Sequence, residues 1–153
     1  MQVNLLIRKL FTHGWLRAGG RRLATDENAV QLSIATTIAI AATVYGSAIL
    51  FHESAHAVAG FLAGGQPTLI SSTDLRGDWS AVSLAGFVAI GVSGSALNWF
   101  LASIGYLLLK QRQFRADTFG FFSWLLLAVN GFIASVYMVI SSLLNFGDWA
   151  TLL

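Results

Sequence analysis

The chain has 153 residues, enough for one domain, of which 56% are hydrophobic and only 10% are charged. That balance cannot cover an apolar core with a water-facing surface, so it excludes an ordinary soluble domain and indicates a membrane protein. The net charge of +2 gives no support to nucleic-acid binding, and the absence of cysteine excludes disulfides and cysteine-ligated metals.

Residues 1–28 form a basic arm that precedes the first apolar segment. The arm is too polar for a cleavable signal peptide, so the first apolar segment is expected to be an uncleaved anchor. Apolar residues recur in the arm at helical spacing, at Val3, Leu6, Ile7, Leu10 and Phe11. This pattern predicts an amphipathic helix lying on the membrane surface, with a disordered basic tail as the alternative.

Residues 29–153 are predicted to be a second unit, with three membrane-spanning helices. Residues 29–63 carry no charge except Glu53, and residues 79–109 and 118–147 carry none. Each segment exceeds the roughly 20 residues that a helix needs to cross a bilayer. The predicted fold class is therefore all-α, a polytopic membrane protein with three transmembrane helices and an N-terminal interfacial helix.

The basic residues predict the orientation of these helices. Five of the nine Lys and Arg residues precede the first span, three lie between the second and third, and only Arg76 lies between the first and second. By the positive-inside rule, the N-terminus and the loop around 110–117 are cytoplasmic. The 64–78 loop and the C-terminus then face the other side of a plasma or inner membrane.

The first span contains the sequence HESAH, residues 52–56. At this composition, the expected number of H-E-x-x-H matches is only about 0.0007. On a helix, His52 and His56 share one face and can bind one metal ion, while Glu53 lies beside that face and can act as general base. The alternative is that the histidines only bridge helices by hydrogen bonds. Charges at membrane depth cost about 2.5–3.5 kcal/mol each, which favours a compensating metal.

The next two elements predict a compact bundle. Gly64 and Gly65 precede the only proline, Pro67, so the first helix is expected to end there, before a short strand at residues 68–70. The second span contains small residues that let helices approach closely: Gly86, Gly91, Ser93, Gly94 and Ser95.

A two-histidine zinc site needs a third protein ligand. Asp148 follows the third span and is expected on the same side of the membrane as the end of the first helix. Asp74 and Asp78 lie in a polar loop, and the other candidates lie on the cytoplasmic side. Asp148 is therefore the predicted third ligand, with a simple interfacial carboxylate as the alternative.

Three stretches, FHESAHAVAG, SGSALNWFLA and SSLLNFGDW, resemble the core helices of the site-2 protease family of intramembrane zinc metalloproteases. The resemblance covers roughly residues 45–150. It implies that His52, His56 and Asp148 bind Zn²⁺ and that Glu53 is the catalytic base. It also implies that Asn98, in a Gly-x-x-x-Asn element that starts at Gly94, contacts the substrate backbone or the developing oxyanion.

The resemblance implies hydrolysis of peptide bonds within transmembrane helices of other proteins, with the lipid bilayer and a membrane-protein substrate as partners. The third motif departs from the family pattern, because it lacks a proline and has Trp149 in place of a glycine. The alternative is therefore a catalytically inactive subunit that binds partner proteins in a larger complex. A haem site is disfavoured, because histidines at i and i+4 cannot grip opposite faces of one haem. Asn98 and Asn130 have the further alternative of hydrogen-bonding neighbouring helices.

Overall fold

The structure is a computed structural model that describes residues 32–71 and 75–144. The predicted amphipathic helix in residues 1–28 and the predicted ligand Asp148 lie outside these residues. In chain order the elements are α1 (Ile34–Leu62), β1 (Gln66–Ile70), β2 (Leu75–Asp78), α2 (Leu84–Gln111), α3 (Thr118–Phe132), a π-helical turn (Ile133–Tyr137) and α4 (Met138–Leu144).

Three helical segments are long and apolar enough to cross a membrane: Ile34–Leu62, Leu84–Gln111 and Thr118–Ser141. Each begins at a side-chain cap that accepts a backbone N–H of the first turn, supplied by Ser33, Ser83 and Asp117 respectively. The prediction of three long apolar helices is confirmed.

The side chains inside the bundle are mostly small or polar, whereas many of those on its surface are large and apolar. The buried polar residues are His52, His56, Ser95, Asn98, Ser123, Asn130 and Ser141. The buried apolar residues are mostly small, and large side chains such as Leu62 and Leu84 point outward. Soluble proteins rarely expose apolar surface on this scale. The distribution instead suits lipid as the surrounding solvent, and the buried His52, His56 and Asn98 bond between helices.

Helix α2 packs against both other long helices through glycines. Gly94 faces α1, and a Cβ added there would lie within 3 Å of both histidine rings. Gly105 faces α3, where an added Cβ would lie 2.6 Å from the Leu127 backbone nitrogen and 2.9 Å from the Ser123 carbonyl oxygen. The prediction that small residues allow close helix contact therefore holds at Gly94, and Gly105 is a further close contact that the sequence did not single out.

An antiparallel hairpin connects α1 to α2 and adds a two-stranded sheet to the otherwise helical fold. A strand was expected only at residues 68–70, but β1 pairs with β2 from Gln66 opposite Asp78 to Ile70 opposite Leu75. The stretch LRGD lacks the alternating apolar residues of a typical strand, so its extended form depends on backbone pairing with β1.

The Trp79 side chain packs between this hairpin and the end of α1. Cβ atoms added at Gly60, Gly65 or Gly77 would each lie within 3 Å of its indole ring. Gly64, with φ +91°, adopts the left-handed conformation that ends α1 near the predicted position. The chain therefore leaves α1 by a fixed turn rather than a loose loop.

The sequence predicts one continuous helix for the third span. In the structure a π turn interrupts this helix between α3 and α4. A π turn inserts one extra residue, which rotates the following residues by about 100° around the helix axis. The faces presented by α4 therefore cannot be obtained by extending the periodicity of α3.

Candidate metal centre

Helix α1 brings His52 and His56 together on the face that packs against α2. The two side chains are only 6% and 3% exposed, and their ring centroids lie 4.7 Å apart. Their Nε2 atoms are 3.0 Å apart. Two nitrogens bound to one tetrahedral zinc ion lie about 3.3 Å apart, from Zn–N distances near 2.0–2.1 Å. The histidine pair therefore has nearly the spacing that one metal ion requires.

The second nitrogen of His56 is held by helix α2. Its Nδ1 lies 2.6 Å from the Ile90 carbonyl oxygen and 3.3 Å from the Ser93 hydroxyl. Ser93 donates its own hydrogen to the same carbonyl at 2.7 Å. Because a carbonyl only accepts, Nδ1 of His56 must carry the proton, which leaves a lone pair on Nε2. Metal-binding histidines are usually oriented by this kind of bond.

The second nitrogen of His52 is held by Asn98. The Asn98 amide nitrogen lies 2.9 Å from His52 Nδ1, and the Asn98 side chain is 0% exposed. Asn98 therefore contacts a predicted metal ligand directly. In its other predicted role Asn98 binds the substrate. For that role, the substrate would have to reach the buried Asn98 amide from outside the bundle.

The absence of a side chain at Gly94 leaves a space next to both Nε2 atoms. A Cβ added at Gly94 would lie 2.5 Å from His56 Nε2 and 2.7 Å from His52 Nε2. Any residue other than glycine would therefore intrude on the two nitrogens. The Gly94 and Asn98 pair noted in the sequence frames the histidines from α2, one by leaving space and one by a hydrogen bond.

Glu53 follows His52 on α1 and is partly exposed, unlike the two histidines. It lies beside the buried face rather than on it, as helical geometry predicts. A carboxylate at this position is next to the histidine pair in sequence without replacing either ligand.

No group of three His, Asp or Glu side chains comes together among residues 32–71 and 75–144. Asp78 is exposed and accepts a hydrogen bond from the Ser80 backbone nitrogen at 2.9 Å. That backbone bond, together with the Ser80 side chain, holds the pKa of Asp78 below its usual value. Asp117 caps α3, at the opposite end of the bundle from the hairpin. Neither carboxylate is grouped with the histidine pair within the described ranges, and the third ligand stays a prediction for Asp148.

Asn130 is 0% exposed, and its amide nitrogen donates to the Leu126 carbonyl oxygen of its own helix at 2.9 Å. This bond lies within α3, so the hydrogen bond to a neighbouring helix considered for Asn130 is not seen among the described residues. Asn98 does bond across helices, to His52. The Ile90 carbonyl could not be identified from the sequence, because every residue has a backbone carbonyl and only the packing selects one.

The described chain is thus a bundle of three long apolar helices with a buried histidine pair at the contact between the first two. Comparisons with protein-family models, with curated proteins and with solved structures each found no match. The resemblance to the site-2 protease family therefore rests on the three sequence motifs.

Proposed function

We propose that this chain is an intramembrane zinc metalloprotease that hydrolyses peptide bonds within transmembrane segments of other membrane proteins. One observation carries the proposal. Two imidazole Nε2 atoms lie 3.0 Å apart inside a bundle of apolar helices, and the other nitrogen of each ring shares a hydrogen bond with a group of the neighbouring helix.

The proposed setting is a lipid bilayer, with a cytoplasmic N-terminus in a plasma or inner membrane. The outward-facing apolar side chains are evidence for a bilayer setting. The distribution of Lys and Arg is evidence for the cytoplasmic N-terminus. Counted back from Leu62 at about 1.5 Å per residue, His56 lies about 9 Å and His52 about 15 Å inside the end of α1. The reaction would take place within the apolar layer.

The donors present suit zinc, which binds neutral imidazole nitrogen and carboxylate oxygen. His52 and His56 would hold the ion from α1, and Asp148 is proposed as the carboxylate ligand. When bound, zinc lowers the pKa of water to about 7 and polarises a carbonyl group. Gly94 keeps the space beside the two nitrogens open, and the Ile90 carbonyl fixes the ring of His56.

Glu53 is proposed as the general base. Its carboxylate would take a proton from the attacking water and deliver it to the amine of the departing peptide. The substrate segment must unwind locally, because the carbonyl of a helical peptide bond is hydrogen-bonded and shielded by its own helix. A transmembrane helix containing glycine or polar residues would unwind at the lowest cost.

The alternative is a catalytically inactive subunit that binds partner proteins in a membrane complex. It is favoured by the histidine pair itself, because a 3.0 Å contact between two Nε2 atoms can be a simple N–H···N hydrogen bond. Such a bond would bridge the two rings without a metal. This function predicts no stoichiometric zinc and no effect of Glu53 on proteolysis.

The proposal is tested by replacing Glu53 with Gln, which keeps the size of the side chain but removes its basicity. Membrane proteins of an expressing host would be compared by quantitative mass spectrometry for fragments that end inside transmembrane segments. Wild type should generate such fragments, and Glu53→Gln should abolish them while zinc stays bound. The matched control is Ser54→Ala, because Ser54 donates to the Leu50 carbonyl of its own helix and to no other group in the described part of the chain. Equal fragments from wild type and Glu53→Gln would refute the protease.

A further inference from the structure

Asn98 has one amide end in contact with the histidine pair and one end without a partner. Its nitrogen lies 2.9 Å from His52 Nδ1, while its Oδ1 is buried and has no hydrogen-bond partner among the described residues. A buried carbonyl oxygen without a partner costs about 1–3 kcal/mol. Such a group calls for an explanation.

The tautomer of His56 is fixed by its surroundings. Its Nδ1 donates to the Ile90 carbonyl oxygen at 2.6 Å, so its Nε2 carries a lone pair. That lone pair faces His52 Nε2 at 3.0 Å. The state of the pair therefore depends on where His52 carries its proton.

The amide of Asn98 determines that position. With the Asn98 nitrogen against His52 Nδ1, Nδ1 must accept, so the His52 proton is on Nε2 and donates to His56. The two rings are then joined by a proton, and neither presents two free lone pairs to a metal. We call this arrangement the proton-linked state.

A half-turn of the amide reverses the arrangement. Oδ1 would then accept from Nδ1–H of His52, and both Nε2 atoms would carry lone pairs that face each other. Two lone pairs 3.0 Å apart repel unless a cation lies between them. We call this the metal-ready state, and it differs from the first only in one amide rotation and in the tautomer of one imidazole.

We infer that Asn98 is a positioning residue that sets the tautomer of His52, and that it switches the histidine pair between the proton-linked and metal-ready states. The inference rests on the proposed function for the identity of the metal. In this role Asn98 acts through His52, whose Nδ1 its amide nitrogen contacts at 2.9 Å. The exchange releases no net proton, because the hydrogen moves from Nε2 to Nδ1 of the same ring.

The test is ¹⁵N nuclear magnetic resonance of histidine-labelled protein in detergent micelles at about pH 8, where imidazoles are ordinarily neutral. A His13→Gln background leaves only the two histidines of the pair. In chelator-treated protein, His56 should carry its proton on Nδ1 and His52 on Nε2. Added Zn²⁺ should convert both rings to the Nδ1–H tautomer.

Two variants of residue 98 extend the test. Asn98→Asp offers His52 only acceptor oxygens, so it should favour the Nδ1–H tautomer without metal and raise zinc affinity. Asn98→Leu removes both hydrogen-bonding ends, so His52 should populate both tautomers and zinc affinity should fall by about 10–100-fold. Asn130→Leu is the matched control, because Asn130 is equally buried and also has an unpartnered Oδ1 among the described residues but bonds only to its own helix. It should change neither the tautomers nor zinc affinity.

The outcomes separate this inference from the proposed function. A His52 that already carries its proton on Nδ1 without metal, or that has the same tautomer in wild type and Asn98→Leu, overturns the role of Asn98. Wild type that binds no zinc but shows a His52 tautomer dependent on residue 98 refutes the protease and supports the control of His52 by Asn98.

Discussion

Replacing Gly94 with Ala tests whether the histidine pair needs the space beside its two Nε2 atoms to bind a metal ion. The added Cβ would lie 2.5 Å from His56 Nε2 and 2.7 Å from His52 Nε2. These distances are about 0.7–0.9 Å short of ordinary van der Waals contact. Either the rings rotate or α1 and α2 separate, and forced packing of this kind costs about 1–3 kcal/mol.

Zinc binding should be more sensitive than stability to this substitution. Distances between a metal ion and its ligand atoms vary by only about 0.2 Å from their usual values. An imidazole ring displaced by about 0.7 Å can therefore no longer coordinate a zinc ion held at the original position. Gly94→Ala should therefore lower zinc affinity at least tenfold, which corresponds to about 1.4 kcal/mol. The assay is calorimetric titration of chelator-treated protein with Zn²⁺, accompanied by thermal unfolding in the same detergent.

Gly46→Ala is the control, because an added Cβ there has no neighbouring atom within 4 Å among the described residues. Gly46 lies on the same helix as the histidines, and alanine is favoured over glycine in a helix by up to about 1 kcal/mol. The control should bind zinc like wild type and be equally or more stable. Gly94→Ala with wild-type zinc affinity would refute the close approach of Gly94 to the two Nε2 atoms as the basis of the site.

Three further predictions address the ligand set, the orientation and the packing. Asp148→Ala should lower zinc affinity strongly, because it removes an anionic ligand from an apolar site, whereas Asp78→Ala should leave it unchanged; equal titrations would exclude Asp148 as the third ligand. An impermeant thiol reagent applied to intact cells should label a cysteine introduced at Ser72 but not one at Gln113, and the reverse pattern would overturn the orientation. Gly105→Ala should destabilise the bundle by about 1–3 kcal/mol, because its Cβ would lie 2.6 Å from the α3 backbone, and an unchanged melting temperature would contradict that contact.

The sequence predicts the helices and the histidine pair well, because both depend on local patterns. Long uncharged segments predict apolar helices whatever their neighbours, and a four-residue spacing places His52 and His56 on one face of any helix. Gly64 similarly predicts the end of α1, since a left-handed residue is favourable only without a side chain. These features need no knowledge of tertiary contacts.

Features that depend on a partner elsewhere in the chain could not be predicted in this way. The strand β2 is extended because it pairs with β1, and LRGD has little strand character of its own. The Ile90 carbonyl becomes the partner of His56 only when α1 and α2 pack together. The π turn at Ile133–Tyr137 has no local marker in the sequence such as proline.

The most direct test of the central claim is the zinc content of purified protein. Wild type, purified without chelators and analysed by inductively coupled plasma mass spectrometry, should contain about one zinc ion per chain. His56→Ala should lose this zinc, and Glu53→Gln should retain it, because Glu53 is proposed as a base and not a ligand. Wild type without zinc, or His56→Ala with the same zinc content as wild type, would contradict a metal centre on the histidine pair and favour the partner-binding subunit.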